Sequence, residues 1–188
     1  MHRLVLGISG ASGMPLAQAV LENLASVPGL EVHLIISAGS EQVLQAECGL
    51  TSADLARHAH VVHGIADMTA GPSSGSWHHD GMIICPCSMS SLASIASGAG
   101  INLLHRAADV TLKERRPLVI VARETPFNLI HLKNMQAVTE AGATVMPFTP
   151  AFYTRDTSLE AMMKHFTGRL LDQLRIRHGL CKRWRNDL

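Results

Sequence analysis

Residues 81–86 read Gly-Met-Ile-Ile-Cys-Pro, six positions in a row without a polar side chain. A strand with one wet face alternates apolar and polar residues. A run like this one has to be covered on both faces, and a parallel sheet between two helical layers does that. The flanking sequence alternates in the same sense. β-type runs fall at 3–8, 31–37, 60–63, 81–86, 117–122 and 143–147. Helical stretches fall at 14–27, 39–47, 51–58, 88–97, 106–114, 128–141 and 158–175. The first helix puts Leu16, Val20, Leu21 and Leu24 on one face, and Thr51-Ser52-Ala53-Asp54 reads as a capping box. The expected fold is therefore α/β: a Rossmann-like, doubly wound, mostly parallel sheet of about six strands in three αβα layers.

The chain has 188 residues, 47% hydrophobic and 16% charged, enough apolar surface for one well-covered core. A single domain over 1–188 is expected. The net charge of +1 gives no reason to expect nucleic acid or an anionic membrane as partner. No apolar run approaches the ~20 residues needed to span a bilayer. No secretory signal pattern follows Met1, so a reducing cytoplasm is the expected setting. Cys85 and Cys87 flank Pro86 in a spacing that suits buried packing better than a redox pair or zinc knuckle. The 11 histidines are scattered, and no metal is expected.

Right-handed crossovers place every strand's C-terminal end on one edge, where such sheets bind ligands. The residues due there are Ser9 to Gly13, Ser37-Ala38, the Ser73 to Ser76 loop, Cys87 to Ser91, Arg123-Glu124 and Pro150 to Tyr153. Small hydroxyls, glycines at helix starts and an arginine suit an anion and a polar ring. The glycines at 7, 10 and 13 do not make the dinucleotide fingerprint, and no acid ends the second strand at Ser37. A mononucleotide fits better than NAD. An Arg123-Glu124 pair directly after an apolar strand points to a site rather than a solvated face.

GISGASG (7–13), SSGS (73–76), CPCSMSSLASIASG (85–98), RAADVTLKERRPLVIVARETP (106–126), IHLKNM (130–135), PAFY (150–153) and GRLLDQL (168–174) together resemble the UbiX/Pad family of flavin prenyltransferases over essentially the whole chain. The resemblance implies transfer of the dimethylallyl group of dimethylallyl monophosphate to N5 and C6 of reduced FMN. It implies that prenylated FMN is handed to a UbiD-type decarboxylase. It implies a homododecamer with active sites at subunit contacts. FMN would be held by Gly10, Ala11, Ser12, Ser37, Ser88, Met89, Ser90, Ser91 and Arg123. The prenyl phosphate would be held by Ser74, Arg106, Lys113, Glu124, Tyr153 and Arg169, with Ser12, Glu47, Glu124 and Lys113 in catalytic roles. From spacing alone, Glu47 reads as a surface helix acid and Arg169 as solvated. Trp77 and the basic tail around Trp184 are left open between flavin, subunit and solvent contacts. Ala38, Ala122, Phe148 and Asp156 depart from the family pattern and put loop shape, and so prenyl-donor preference, in question. The alternatives are an FMN-dependent decarboxylase and a non-catalytic FMN-binding partner subunit.

Overall fold

A computed structural model describes residues 2–185. Its strands are β1 (His2–Ile8), β2 (Leu30–Ile36), β3 (Val61–His63), β4 (Gly81–Cys87), β5 (Leu118–Ala122) and β6 (Thr144–Val145). They form one parallel sheet in the order β3-β2-β1-β4-β5-β6. β1 pairs with β2 from His2 opposite Leu30 to Ile8 opposite Ile36, and with β4 from Leu4 opposite Gly81 to Gly7 opposite Ile84. The strand order reverses between β1 and β4, which opens a crevice at their C-terminal ends.

The helices are α1 (Met14–Ala25), α2 (Ser40–Cys48), α3 (Ser52–Ala56), α4 (Met89–Ala96), α5 (Leu103–Lys113), α6 (Leu129–Glu140) and α7 (Leu159–Gln173). Successive strand residues point to opposite faces, so each strand feeds two cores. Leu4, Leu6, Ile8, Leu34, Ile83 and Val121 pack against α1, α2 and α7. Val5, Ile35, Met82, Ile84 and Ile120 pack against α4, α5 and α6. The six-residue apolar run is buried on both sides, as expected. Cys85 and Cys87 fall one in each core, and burial raises both thiols, Cys87 to about 12. They pack; they are not nucleophiles.

Boundaries moved by a residue or two, with two larger differences. α5 starts at Leu103, three residues ahead of the expected 106, because Asn102 caps the His105 amide at 3.0 Å. β6 is two residues long instead of five: Met146 still donates to Ile120 at 2.9 Å, and Pro147 then has no amide to continue the ladder. The Thr51 capping box with Asp54 forms as read.

The long 64–80 segment holds one 3-10 turn, Gly71–Ser73, and is tied down from α5 and its exit. Arg116 donates to the Gly75 carbonyl at 2.7 Å and the Trp77 carbonyl at 3.0 Å, and Arg106 donates to Ser73 at 3.1 Å. Trp77 packs edge-on to His33, with the Arg3 guanidinium 4.7 Å from its ring centroid, so within the chain its ring is occupied by these neighbours. The Arg116 fork is structural. Arg116→Ala is expected to lower unfolding free energy by about 2 kcal/mol, read by urea denaturation, because two half-buried carbonyls lose a charged donor.

Candidate active site

The C-terminal strand ends are stitched into one edge. The Ser37 amide donates to the Ile8 carbonyl at 2.9 Å, and the Ser9 amide to the Pro86 carbonyl at 3.2 Å. The Ser9 hydroxyl donates to the same carbonyl at 3.0 Å and accepts from the Ser88 amide at 2.7 Å. The Arg123 amide donates to the Cys87 carbonyl at 3.0 Å. Ser37, Ser9, Ser88 and Arg123 thus stand in a row across the crevice. The buried Ser40 supports the row, its hydroxyl on the Ile8 carbonyl at 3.0 Å and against Ser37 Oγ at 2.9 Å. Ser9 and Ser40 were not among the expected site residues. Ser9 lay inside the pentapeptide singled out, but its partners are 77 and 79 positions away.

Ser88 is the N-cap of α4 and accepts from the Ser91 amide at 3.2 Å. The Met89 and Ser90 amides head that helix, where the helix itself provides no acceptor. Gly10 lies so close to the next loop that an added Cβ would stand 2.8 Å from the carbonyl carbon and oxygen of Gly39. Gly13 starts α1 at a φ of 110°, a conformation that L side chains rarely adopt.

Glu47, which spacing alone would place on an idle surface, caps α1. Its Oε2 accepts from the Gly13 and Met14 amides, each at 2.8 Å. Partial desolvation raises its pKa, but the Ser12 hydroxyl, these two amides and the Arg123 charge outweigh it and hold the carboxyl below its ordinary value. A carboxyl with a depressed folded-state pKa contributes stability above its unfolded pKa and loses it as pH falls through the folded value. The stability gap between wild type and Glu47→Gln should therefore be constant above the usual glutamate range and shrink on acidification below about 4.5. Urea melts from pH 7 downward check this; a gap independent of pH would remove the assigned cap.

Ser12, Glu47, Arg123 and Glu124 line a cleft of about 610 Å³ with Leu16, Phe148, Leu159 and Met163. Apolar walls with a polar rim suit a flat heterocycle whose edge carries hydrogen-bonding atoms. The amides and hydroxyls along the row suit its phosphate or carbonyl groups. These residues fit a flavin nucleotide.

A second cavity, about 410 Å³, lies along α7 and contains Tyr153, His165, Arg169, Arg183 and Trp184; its Phe166 packs edge-on to Phe148 of the first, ring centroids 5.1 Å apart. The Tyr153 hydroxyl meets His165 Nε2 at 3.1 Å. Burial first, then the Arg169 charge, lowers the His165 pKa against the pull of Asp172. Asp172 accepts from Arg169 at 2.7 Å, Arg183 at 2.6 Å and His178 at 3.0 Å, so Arg169 is held rather than merely solvated. Asp172, His178 and Cys181 form the only three-ligand cluster found among the described residues, but ion pairing with two guanidiniums already accounts for the carboxylate. Trp184 lies edge-on to Tyr153, ring centroids 5.3 Å apart, so the tail folds over its own chain's cavity.

The expected phosphate-binding residues do not come together within one chain. Glu124 lines the first cavity, and Tyr153 and Arg169 line the second. Arg106 and Lys113 are on α5, on the other face of the sheet from α7. Ser74 lies with them, since Arg106 holds Ser73 and Lys113, paired with Glu114, lies against Gly75. The sheet separates the two groups.

Residues 1–171 match the Flavoprotein family model. The chain is 46% identical over 185 residues to the flavin prenyltransferase UbiX of Deinococcus radiodurans, covering 98% of this chain and 94% of that protein. A crystal structure of AnUbiX in complex with FMN and dimethylallyl pyrophosphate superposes with a TM-score of 0.92, at 44% identity over 97% of each chain. A dodecameric FMN-dependent Ubix-like decarboxylase from Escherichia coli O157:H7 gives 0.91, at 41% identity over 97% of this chain and 98% of that one. With near full-length identity on this scale, and a strand-end crevice suited to a flavin, the chain belongs to the flavoprotein family and within it to the UbiX/Pad flavin prenyltransferases.

Proposed function

We propose that this protein, acting as one domain over residues 1–188, transfers the dimethylallyl group of dimethylallyl monophosphate to N5 and C6 of reduced FMN. Its product is prenylated FMN for a UbiD-type decarboxylase. The carrying observation is that one helix, α7, lines both the flavin-compatible cleft and the arginine-bearing cavity, with Phe148 of the one packed on Phe166 of the other. AnUbiX, so similar over its length, is solved in complex with FMN and dimethylallyl pyrophosphate. Gly10, Ala11, Ser12, Ser37, Ser88 to Ser91 and Arg123 would hold the flavin. Reduced FMN supplies the electron-rich positions that accept the prenyl carbons.

The chain's own work is positional and electrostatic. Arg169, steadied by Asp172, faces the phosphate as the allylic carbon–oxygen bond breaks and its charge grows. Tyr153 orients the same group. Ser12 and Glu47 stand at the cleft wall as a hydrogen-bonded pair, with Glu47 kept as a carboxylate. Glu124, whose carboxylate accepts from the Thr125 amide at 3.0 Å, is a proton acceptor on that wall. Ser74, Arg106 and Lys113 would reach a site from a second copy of the chain, in a homododecamer like that of the Escherichia coli relative. The cytoplasm is the setting we assign; no helix among the described residues is long and apolar enough to cross a membrane.

Incubation with FMN, a reductant and dimethylallyl monophosphate tests the reading. Mass spectrometry of the extracted flavin is expected to show one added prenyl unit. An unchanged flavin with carbon dioxide released from an aromatic acid would instead mark a decarboxylase. An unchanged flavin without turnover would mark a carrier subunit.

A further inference from the structure

His105 sits in the third position of α5 and Ser91 in the third position of α4, side by side in the core on one face of the sheet. Both are nearly sealed, 5% and 6% exposed. His105 Nε2 meets Ser91 Oγ at 3.2 Å. The other ring nitrogen, Nδ1, is buried with no hydrogen-bond partner among the described residues. We propose that His105 is a positioning residue of the flavin site: it donates to Ser91 Oγ and so leaves the serine's own proton for bound FMN. The inference rests on the assignment of Ser91 as a flavin contact.

Burial lowers the imidazole pKa, so the ring is neutral and carries a single proton. On Nδ1 that proton would be a sealed donor without an acceptor, and buried orphan N–H groups are rarer than unfilled acceptors. On Nε2 it makes the hydrogen bond to Ser91. A serine hydroxyl offers one donor and two acceptor positions. His105 fills an acceptor position, and the hydroxyl proton remains. Ser91 lies in the first turn of α4, where the Met89 and Ser90 amides also await an acceptor. In the opposite tautomer Ser91 would spend its proton on the ring and offer a ligand lone pairs only.

A double-mutant cycle on FMN affinity, read by quenching of flavin fluorescence, separates this role from simple packing of α4 on α5. Ser91→Ala and His105→Leu are each expected to weaken FMN binding roughly 5- to 10-fold, as loss of one hydrogen bond does. The double variant should be no weaker than Ser91→Ala alone. His105→Gln, whose amide nitrogen reaches the place of Nε2, should bind within about twofold of wild type. Thermal melts on all four track folding; should His105→Leu not fold, His105→Asn, whose amide ends at the place of Nδ1, replaces it. A His105→Leu loss that persists in the Ser91→Ala background overturns the proposal, as does a Gln variant as weak as Leu. A silent Ser91→Ala overturns it too, together with that flavin contact, while the prenyl-transfer assay reports independently whether the activity stands.

Discussion

Arg169→Met should slow prenyl transfer roughly 10²- to 10³-fold while leaving FMN affinity within about twofold of wild type. The guanidinium lines the cavity beside the flavin-compatible cleft, not the cleft itself. Its expected work is done on the leaving phosphate, whose charge grows only as the bond breaks. Asp172 keeps Arg183 and His178 as partners when Arg169 is gone, so the fold should lose little. Single-turnover assays with flavin extracted at timed intervals give the rate, and flavin fluorescence gives the affinity. An unaltered rate would end the assignment of that cavity to the prenyl phosphate. Lys113→Met is expected to behave in the same way, although α5 and α7 lie on opposite faces of the sheet. The two variants therefore test how a site is assembled. If a site takes Arg169 from one copy and Lys113 from another, mixed assemblies of the two inactive chains regain activity in roughly a quarter of sites. If each chain were self-sufficient, mixing would recover nothing.

Gly10→Ala carries the other large effect. Its Cβ would stand 2.8 Å from both the carbonyl carbon and the oxygen of Gly39 and 3.2 Å from that residue's Cα. All three atoms are backbone, so no side chain can swing aside, and the β1 and β2 exit loops have to part. Overpacking of this kind costs about 1–3 kcal/mol. The larger loss should be in binding, because those loops carry Ser12 and Ser37: FMN affinity is expected to fall by at least roughly 10-fold, the equivalent of about 1.4 kcal/mol. The reciprocal change is the control. A Cβ on Gly39 comes no nearer than 3.9 Å to Gly10, and Gly39 has an ordinary φ of −69°, so Gly39→Ala should be nearly silent. Equal effects from the two changes would sink the argument.

The glycines illustrate how much was legible in advance. Gly10 and Gly13 stood out as turn residues, and Arg123-Glu124 as a charged pair where an apolar strand ends. Both readings rest on local chemistry, and each falls at the expected edge. Glu47 stood out only through the family resemblance, because nothing in its helix announces that its carboxylate will cap a different helix 34 positions away. His105 gave no signal for the same reason: its partner Ser91 belongs to another element. Arg116, which nothing in its own sequence neighbourhood singled out, became a clamp only because the 64–80 segment folds back over it.

Periodicity and strand-end punctuation were sufficient for the parallel three-layer fold, since those patterns report which faces are buried and where the chain turns. Which side of the sheet each helix covers was decided in three dimensions. That choice put Arg169 on one side and Lys113 on the other, because the strands' alternating side chains build two separate cores and a helix can cover only one.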